Sequence, residues 1–207
     1  HYGISYSTQG PGAVLRGISI INAYTAYSGG ALNLANASLT IENCIFADNE
    51  ARSYGGAIYG NDVSSPTIRN CVFRGNNAVY YGGGGAIYFE GTSSPTIEGC
   101  SFSGNSADKG GAMFFDLGCT PGVDGCTFYG NVGSAIGVGS NCSLYMISSI
   151  SAFNDNYAVT GYANGQALLV CCDLYGNGLG NYVGILAGQN GPLGNISADP
   201  LFCNVSL

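Results

Sequence analysis

Few side chains in this chain could do chemistry. His1 is its only histidine and stands at the terminus. An internal Ser/His/Asp or Cys/His relay is therefore ruled out, because each needs an imidazole within hydrogen-bond reach of its nucleophile. The cations are Arg16, Arg52, Arg69, Arg74 and Lys109. Carboxylates remain, and two pairs stand out, Glu90 with Asp116 and Glu98 with Asp124. Neighbouring carboxylates can raise one another's pKa, share a Ca2+ ion or flank a glycosidic bond. Whether either pair is side by side depends on the elements that carry it.

Those elements repeat. "GGAIYGNDVSSPTIRNCVFRGN", residues 55–76, recurs as "GGAIYFEGTSSPTIEGCSFSGN", residues 84–105. Taking the cysteine of "NCVF" as an anchor gives equivalent positions at Gly17, Cys44, Cys71, Cys100, Cys126, Ser149 and Cys172. Five residues beyond each anchor stands an asparagine: Asn22, Asn49, Asn76, Asn105, Asn131, Asn154 and Asn177. A repeat of this kind must be read before anything else, since it decides the fold.

Within each repeat the apolar residues alternate, which is strand periodicity. Leu39 and Ile41, Pro66 and Ile68, Pro95 and Ile97, Pro121 and Val123, Leu144 and Met146, Ala167 and Leu169 are expected to face inward from one strand. Cys44 and Phe46, Cys71 and Phe73, Cys100 and Phe102, Cys126 and Phe128, Cys172 and Leu174 are expected to face inward from the next. Asn43, Asn70, Gly99 and Gly125 stand between the two, types that tolerate the left-handed corner a sharp turn demands. A third strand carries Ile58, Ile87, Met113, Ile136 and Val159. The pattern predicts an all-β, single-stranded parallel β-helix of about seven coils with three short strands per coil. It reads as a single domain over 1–207, with an N-terminal strand segment at 1–16, regular coils over 17–177 and a last partial coil and tail at 178–207.

The register places the chemical residues. Glu90 and Asp116 fall ten positions before successive anchors and Glu98 and Asp124 two before, so each pair is expected on adjacent coils, about 4.8 Å apart. The plain reading is a solvated acidic stripe. Weak Ca2+ binding is the alternative, and no other cofactor is implied. Arg69 falls between Glu42 and Glu98 and is expected to neutralise both. Tyr59, Tyr88 and Phe114 share an outward column that could stack on sugar rings, or simply stiffen the sheet by cross-strand contacts. Cys119 and Cys142 fall one above the other and are expected to form a disulfide. Cys203 could bridge to Cys171 or Cys172, a choice the sequence leaves open. The anchor cysteines read as small hydrophobes of the core.

"GGAIY", "SPTI", "NCVFRGN" and the closing "CCDLYGNGLGNYVGILAGQNGPLGNISADPLFCN" resemble the right-handed parallel β-helix repeat proteins of bacterial cell surfaces, over about 190 residues. The resemblance implies right-handed winding and an exported, surface-associated solenoid, and implies no reaction. The same scaffold carries polysaccharide lyases and polygalacturonase-like hydrolases. Those lyases use Lys or Arg beside bound calcium, and the five cations here form no such constellation, so the chain is expected not to be an enzyme. A lyase or glycosidase is the third-ranked reading.

A net charge of −7 excludes the basic face that nucleic acid requires and disfavours anionic membranes. There is no apolar run of about 20 residues to insert into a bilayer. A chain that begins at His1 without Met is read as a trimmed product whose export signal has gone, which points to an extracellular or cell-surface location. Four sequons offer glycan acceptors at Asn36, Asn141, Asn195 and Asn204. The leading expectation is a non-catalytic extracellular structural protein. Its partner is itself, through a head-to-tail contact between the N-terminal segment of one copy and the last coil of the next, giving a fibre or surface layer. The second is a carbohydrate-binding or adhesive module with glycans as partners.

Overall fold

The computed structural model describes residues 3–8, 10–80 and 82–202. The chain winds through seven coils, and each coil gives one strand to each of three parallel sheets. Coil 3 is typical: Ile58–Asn61 lies in sheet 1, Thr67–Arg69 in sheet 2 and Val72–Arg74 in sheet 3. Sheet 1 runs from Ile4–Ser7 to Val159–Gly161, sheet 2 from Val14–Arg16 to Gln166–Val170, and sheet 3 from Ser19–Ile21 to Asp173–Tyr175. A short fourth sheet joins Tyr24–Thr25, Glu50–Ala51 and Asn77–Ala78. Helical structure among the described residues is confined to two 3-10 turns, Gly184–Leu186 and Pro192–Gly194.

Each strand pairs in register with the coil above and below, so like residues stack on like. Ile41, Ile68, Ile97, Val123, Met146 and Leu169 form one inward column. Phe46, Phe73, Phe102 and Phe128 form another, with ring centroids 4.9, 4.8 and 5.0 Å apart. Ile58, Ile87, Met113, Ile136 and Val159 form the third. All of these are buried, and each fully buried Leu, Ile or Phe contributes roughly 1.5–3 kcal/mol. No single coil could bury its own face; seven together make a continuous core.

Left-handed residues turn the corners. Asn43, Asn70, Gly99 and Gly125 have φ of 54, 51, 58 and 58° between sheets 2 and 3, as the sequence predicts. The repeated Gly pair has a division of labour. Gly84 supplies a positive φ of 65°, whereas a Cβ on Gly85 would lie 2.1 Å from the carbonyl oxygen of Gly111 in the next coil. The second glycine is needed for close approach of backbones.

The asparagine column is a buried ladder. Asn49 Nδ2 donates to Asn76 Oδ1 at 2.9 Å, Asn76 to Asn105 at 2.9 Å, Asn105 to Asn131 at 3.0 Å, Asn131 to Asn154 at 2.9 Å and Asn154 to Asn177 at 2.8 Å. Each Oδ1 also accepts the backbone N–H of the asparagine one coil earlier. Asn22 is not a member. Ser19–Ile21 pairs with Ile45–Ala47, which aligns Ile18 with Cys44 and Ala23 with Asn49, so the anchor of coil 1 is Ile18 and not Gly17. Gly17 and Asn22 are the two left-handed corners of that coil, with φ of 67 and 56°. The ladder ends there, at the Ala23 N–H bonded to Asn49 Oδ1 at 2.9 Å. At the other end it continues beyond Asn177 to Asn181 and Ser197.

The two ends of the stack differ. Residues 178–198 cover coil 7. Leu186 is fully buried there, and Gln189 Oε1 accepts the Leu169 N–H while its Nε2 donates to Ala167 O, both at 2.9 Å. The N–H groups of Cys171, Cys172 and Leu174 donate to Leu193 O, Asn195 Oδ1 and Ile196 O. No described strand covers coil 1. Its inward side chains Tyr6, Leu15, Ile18 and Ile20 are only half-buried, and Ile4, Val14 and Ile21 are exposed.

Candidate functional site

The small polar columns explain the cysteines. Ala37, Ser64, Ser93, Cys119 and Cys142 occupy equivalent inward positions. Ser64 Oγ accepts the Ala37 N–H at 3.1 Å, and Cys142 Sγ accepts the Cys119 N–H at 3.2 Å. Cys119 Sγ in turn donates to Asp116 O at 3.2 Å. The two cysteines are stacked as the register predicts, but both thiols are free, and the expected disulfide is not formed. In-register parallel strands hold equivalent Cβ atoms about 4.8 Å apart and pointing the same way, whereas a disulfide draws them to about 3.8 Å and turns them toward each other. Here cysteine does the work of serine. The adjacent Cys119 side chain pulls the Cys142 thiol down to about 7, against burial. Cys171 and Cys172 are also free, and the bridge to Cys203 lies outside the described residues.

The anchor column follows the same rule. Cys71 N donates to Cys100 Sγ at 3.3 Å, Cys126 N to Ser149 Oγ at 3.0 Å and Cys172 N to Asn195 Oδ1 at 2.9 Å. Asn195 is thus the last rung of that column. It is 1% exposed, and its amide donates to Leu169 O and Gln189 O. The sequon expectation at Asn195 is therefore corrected: the folded chain leaves no room for a glycan there. Asn36 and Asn141 stand exposed at left-handed corners, and Asn204 lies outside the described residues.

Register brings both acidic pairs together, and their surroundings separate them. Glu90 is bound within the protein: Tyr59 Oη donates to Oε1 at 2.5 Å and Tyr88 Oη to Oε2 at 3.2 Å. Burial, reinforced by Glu90, pushes both phenols well above their usual range. Asp116 Oδ1 accepts the N–H groups of Leu117 and Ser140 at 2.9 and 2.8 Å, so its lone pairs serve a turn. Glu98 and Asp124 pair in register on the exposed face of sheet 2. Among the described residues no group of three His, Cys, Asp or Glu side chains could hold a metal ion. Arg69 meets only one of its two expected partners. It pairs with Glu42, which Arg16 grips from the other side, and it makes no ion pair with Glu98.

Tyr59, Tyr88 and Phe114 do form one column, with centroids 5.7 Å apart at each step. They are not an open sugar platform. Tyr88 and Phe114 are each 3% exposed, because the Tyr54 ring lies 4.5 Å from Tyr88 and the Tyr162 ring 5.5 Å from Phe114. The column stiffens sheet 1 from beneath a cover of loops.

Open concave surfaces lie elsewhere, one of them at the corner that follows sheet 3. A groove of about 380 Å3 is lined by Asp48, Arg74, Gly75, Ser103, Gly104, Tyr129 and Gly130. Arg74, Ser103 and Tyr129 are successive residues of one outward column, and the three glycines are the left-handed corners beside them. These residues were legible in the sequence as the third position after each anchor, a column that mixes Ala47, Arg74, Ser103 and Tyr129 and therefore carries no obvious signature.

A family model described as "Right handed beta helix region" matches residues 3–197. No curated protein and no solved structure matches the chain.

Proposed function

Because the chain belongs to the right-handed β-helix family, we propose that it is a non-catalytic structural protein of the cell exterior that associates with itself through the open face of coil 1. One observation carries the reading: among the described residues, the last of the seven coils is covered by residues 178–198 and the first is covered by no strand. Three strand edges with half-buried apolar side chains beneath them form a template for pairing with another chain. The non-catalytic reading is supported by the carboxylates, since Glu42, Glu90 and Asp116 are each engaged in holding the fold. Location outside the cell is supported by the exposed acceptors Asn36 and Asn141.

The contact is face to face. A head-to-tail contact would have to displace the cap that already satisfies the sheet 2 and sheet 3 edges of coil 7, whereas two copies meeting at coil 1 bury both open faces and close at a dimer. Ile4 and Thr8 donate to Ala31 and Ala35 of coil 2, so by strand alternation the Ser5 N–H faces outward. Ile18 O and Asn22 N likewise bond to coil 2, which turns the Ser19 N–H outward. Sedimentation equilibrium of the chain is expected to give twice 21.1 kDa, and a Ser5→Pro, Ser19→Pro variant, which loses outward donors only, is expected to be monomeric with unchanged circular dichroism. A monomer at every concentration, or a variant that still dimerises, contradicts this contact.

A further inference from the structure

Three asparagines in the chain precede a glycine: Asn164, Asn177 and Asn190. Such a pair is open to self-attack, because glycine has no side chain to keep its nitrogen from the neighbouring amide. The glycine nitrogen, its proton lost to base, bonds to the asparagine Cγ; the Cγ–Nδ2 bond breaks and the amide nitrogen leaves as ammonia. Water then opens the cyclic imide. Cleavage at Cγ gives aspartate, and cleavage at the main-chain carbonyl gives isoaspartate, in which the backbone runs through Cβ and is one carbon longer. In both cases an amide and a water become a carboxylate and an ammonium ion.

The fold treats the three sites differently. Asn177 is a rung of the buried ladder, 7% exposed, and its Oδ1 accepts from Asn154 while its Nδ2 donates to Ser151 O and Asn181 Oδ1. A Cβ on Gly178 would lie 2.0 Å from Asp155 O, so the backbone there is wedged and cannot turn toward the asparagine side chain. Asn164 is exposed, but its amide is locked in a reciprocal pair: Oδ1 accepts the Asn141 N–H at 2.9 Å and Nδ2 donates to Asn141 Oδ1. Gly165 is buried, its N–H donates to Tyr162 O at 3.0 Å, and a Cβ on it would lie 2.1 Å from Val138 O. Asn190 has neither restraint. It is exposed, its side chain makes no hydrogen bond, ion pair or ring contact with any described residue, and a Cβ on Gly191 would meet nothing within 4 Å.

Its position gives modification a consequence. Asn190 follows Gln189, whose side chain covers the sheet 2 edge through the Leu169 N–H and Ala167 O. Gln189 O accepts from Asn195 Nδ2 at 3.1 Å, and Gly191 N donates to Asn195 O at 2.9 Å. A backbone lengthened between Gln189 and Gly191 moves apart the two groups that grip Asn195. We propose that Asn190 is a site of spontaneous modification, where imide formation with Gly191 yields isoaspartate and aspartate and loosens the cap on sheet 2 of coil 7. The coil 1 face takes no part in it, so this proposal and the association stand or fall separately.

Incubation of the chain at mildly alkaline pH with reductant, folded and in denaturing urea, followed by peptide mass mapping and isoaspartate-specific methylation, tests it. All three sites are expected to react in urea. In the folded chain Asn190 is expected to react about as fast as in urea, and Asn164 and Asn177 at least about tenfold more slowly, since they react only from locally opened states. Hydrogen–deuterium exchange reads the consequence. The Leu169 amide is expected to exchange about tenfold faster in the aged parent than in the fresh one, and no faster in an equally aged Asn190→Gln variant, whose longer side chain closes a ring far more slowly. Three results would each overturn the proposal: Asn190 intact in the folded chain while it reacts in urea, Asn164 or Asn177 reacting as fast as Asn190 in the folded chain, or a modified Asn190 with unchanged Leu169 exchange.

Discussion

Asn105 shows what one residue contributes to a solenoid. Fully buried, it donates to Phe73 O and Asn131 Oδ1 and accepts from both the N–H and the side-chain amide of Asn76. Asn105→Ala strands those two buried donors of coil 3, at about 2–3 kcal/mol. Asn22 shares the sequence column, but it stands exposed at a left-handed corner, so Asn22→Gly is expected to change stability by less than about 0.5 kcal/mol. Urea unfolding of the two variants decides this, and equal effects would contradict the coil 1 register found here. Glu42 carries the pH dependence. The Arg69 hydrogen bond, followed by Arg16, holds its carboxyl below the ordinary value of 4.5 despite opposing burial. A lowered folded value means that the stabilisation is complete above the ordinary range and disappears as pH falls through the folded value. The urea midpoints of the parent and Glu42→Gln should therefore differ at pH 7 and draw together as the pH is lowered below 4.5; a constant gap would remove Glu42 from the acid transition.

At the scale of elements, glycines of different roles should respond differently. Gly85→Ala drives a Cβ into the backbone of coils 4 and 5, 2.1 Å from Gly111 O and 2.6 Å from the Ser106 N and O atoms, and is expected to cost about 3 kcal/mol or more. Gly104→Ala meets open space and suffers only the left-handed penalty, about 1 kcal/mol. Thermal unfolding of both variants checks the order, and a reversed order would contradict the in-register stack. These elements were largely legible in the sequence, because stacking forces each column to keep one residue type: the Ile, Phe, Asn and corner columns of coils 2–5 can be read off "SPTI", "CVF" and "GN". Legibility fails where stacking stops enforcing it. Coil 1 has no described coil beyond it, and Ile18 and Ala23 stand where the other coils have cysteine and asparagine, so a column of asparagines one residue out of register looked continuous. The cap over 178–198 does not repeat and so has no column. Adjacency in sequence register also cannot tell a covered ring from an open one, which is why Tyr88 reads as part of an open column, or a stacked thiol pair from a bonded one.

For the whole molecule, the consequence is polarity. At the coil 7 end the edges of sheets 2 and 3 are satisfied by Gln189, Leu193, Asn195 and Ile196, and no described strand pairs with the outer edges of coil 1. Local opening free energy should follow this gradient, highest in coils 3–5 and lowest in coil 1. A lone molecule is expected to fray from coil 1, and the proposed association would suppress that fraying by mass action. Hydrogen–deuterium exchange measured across a hundredfold range of protein concentration tests this most directly. Amides of Ile4–Ser7, Val14–Arg16 and Ser19–Ile21 are expected to exchange more slowly as concentration rises, while those of coils 3–5 and of residues 178–198 stay unchanged. Coil 1 exchange that is the same at every concentration, or protection that grows at the capped end instead, would contradict association through the open face.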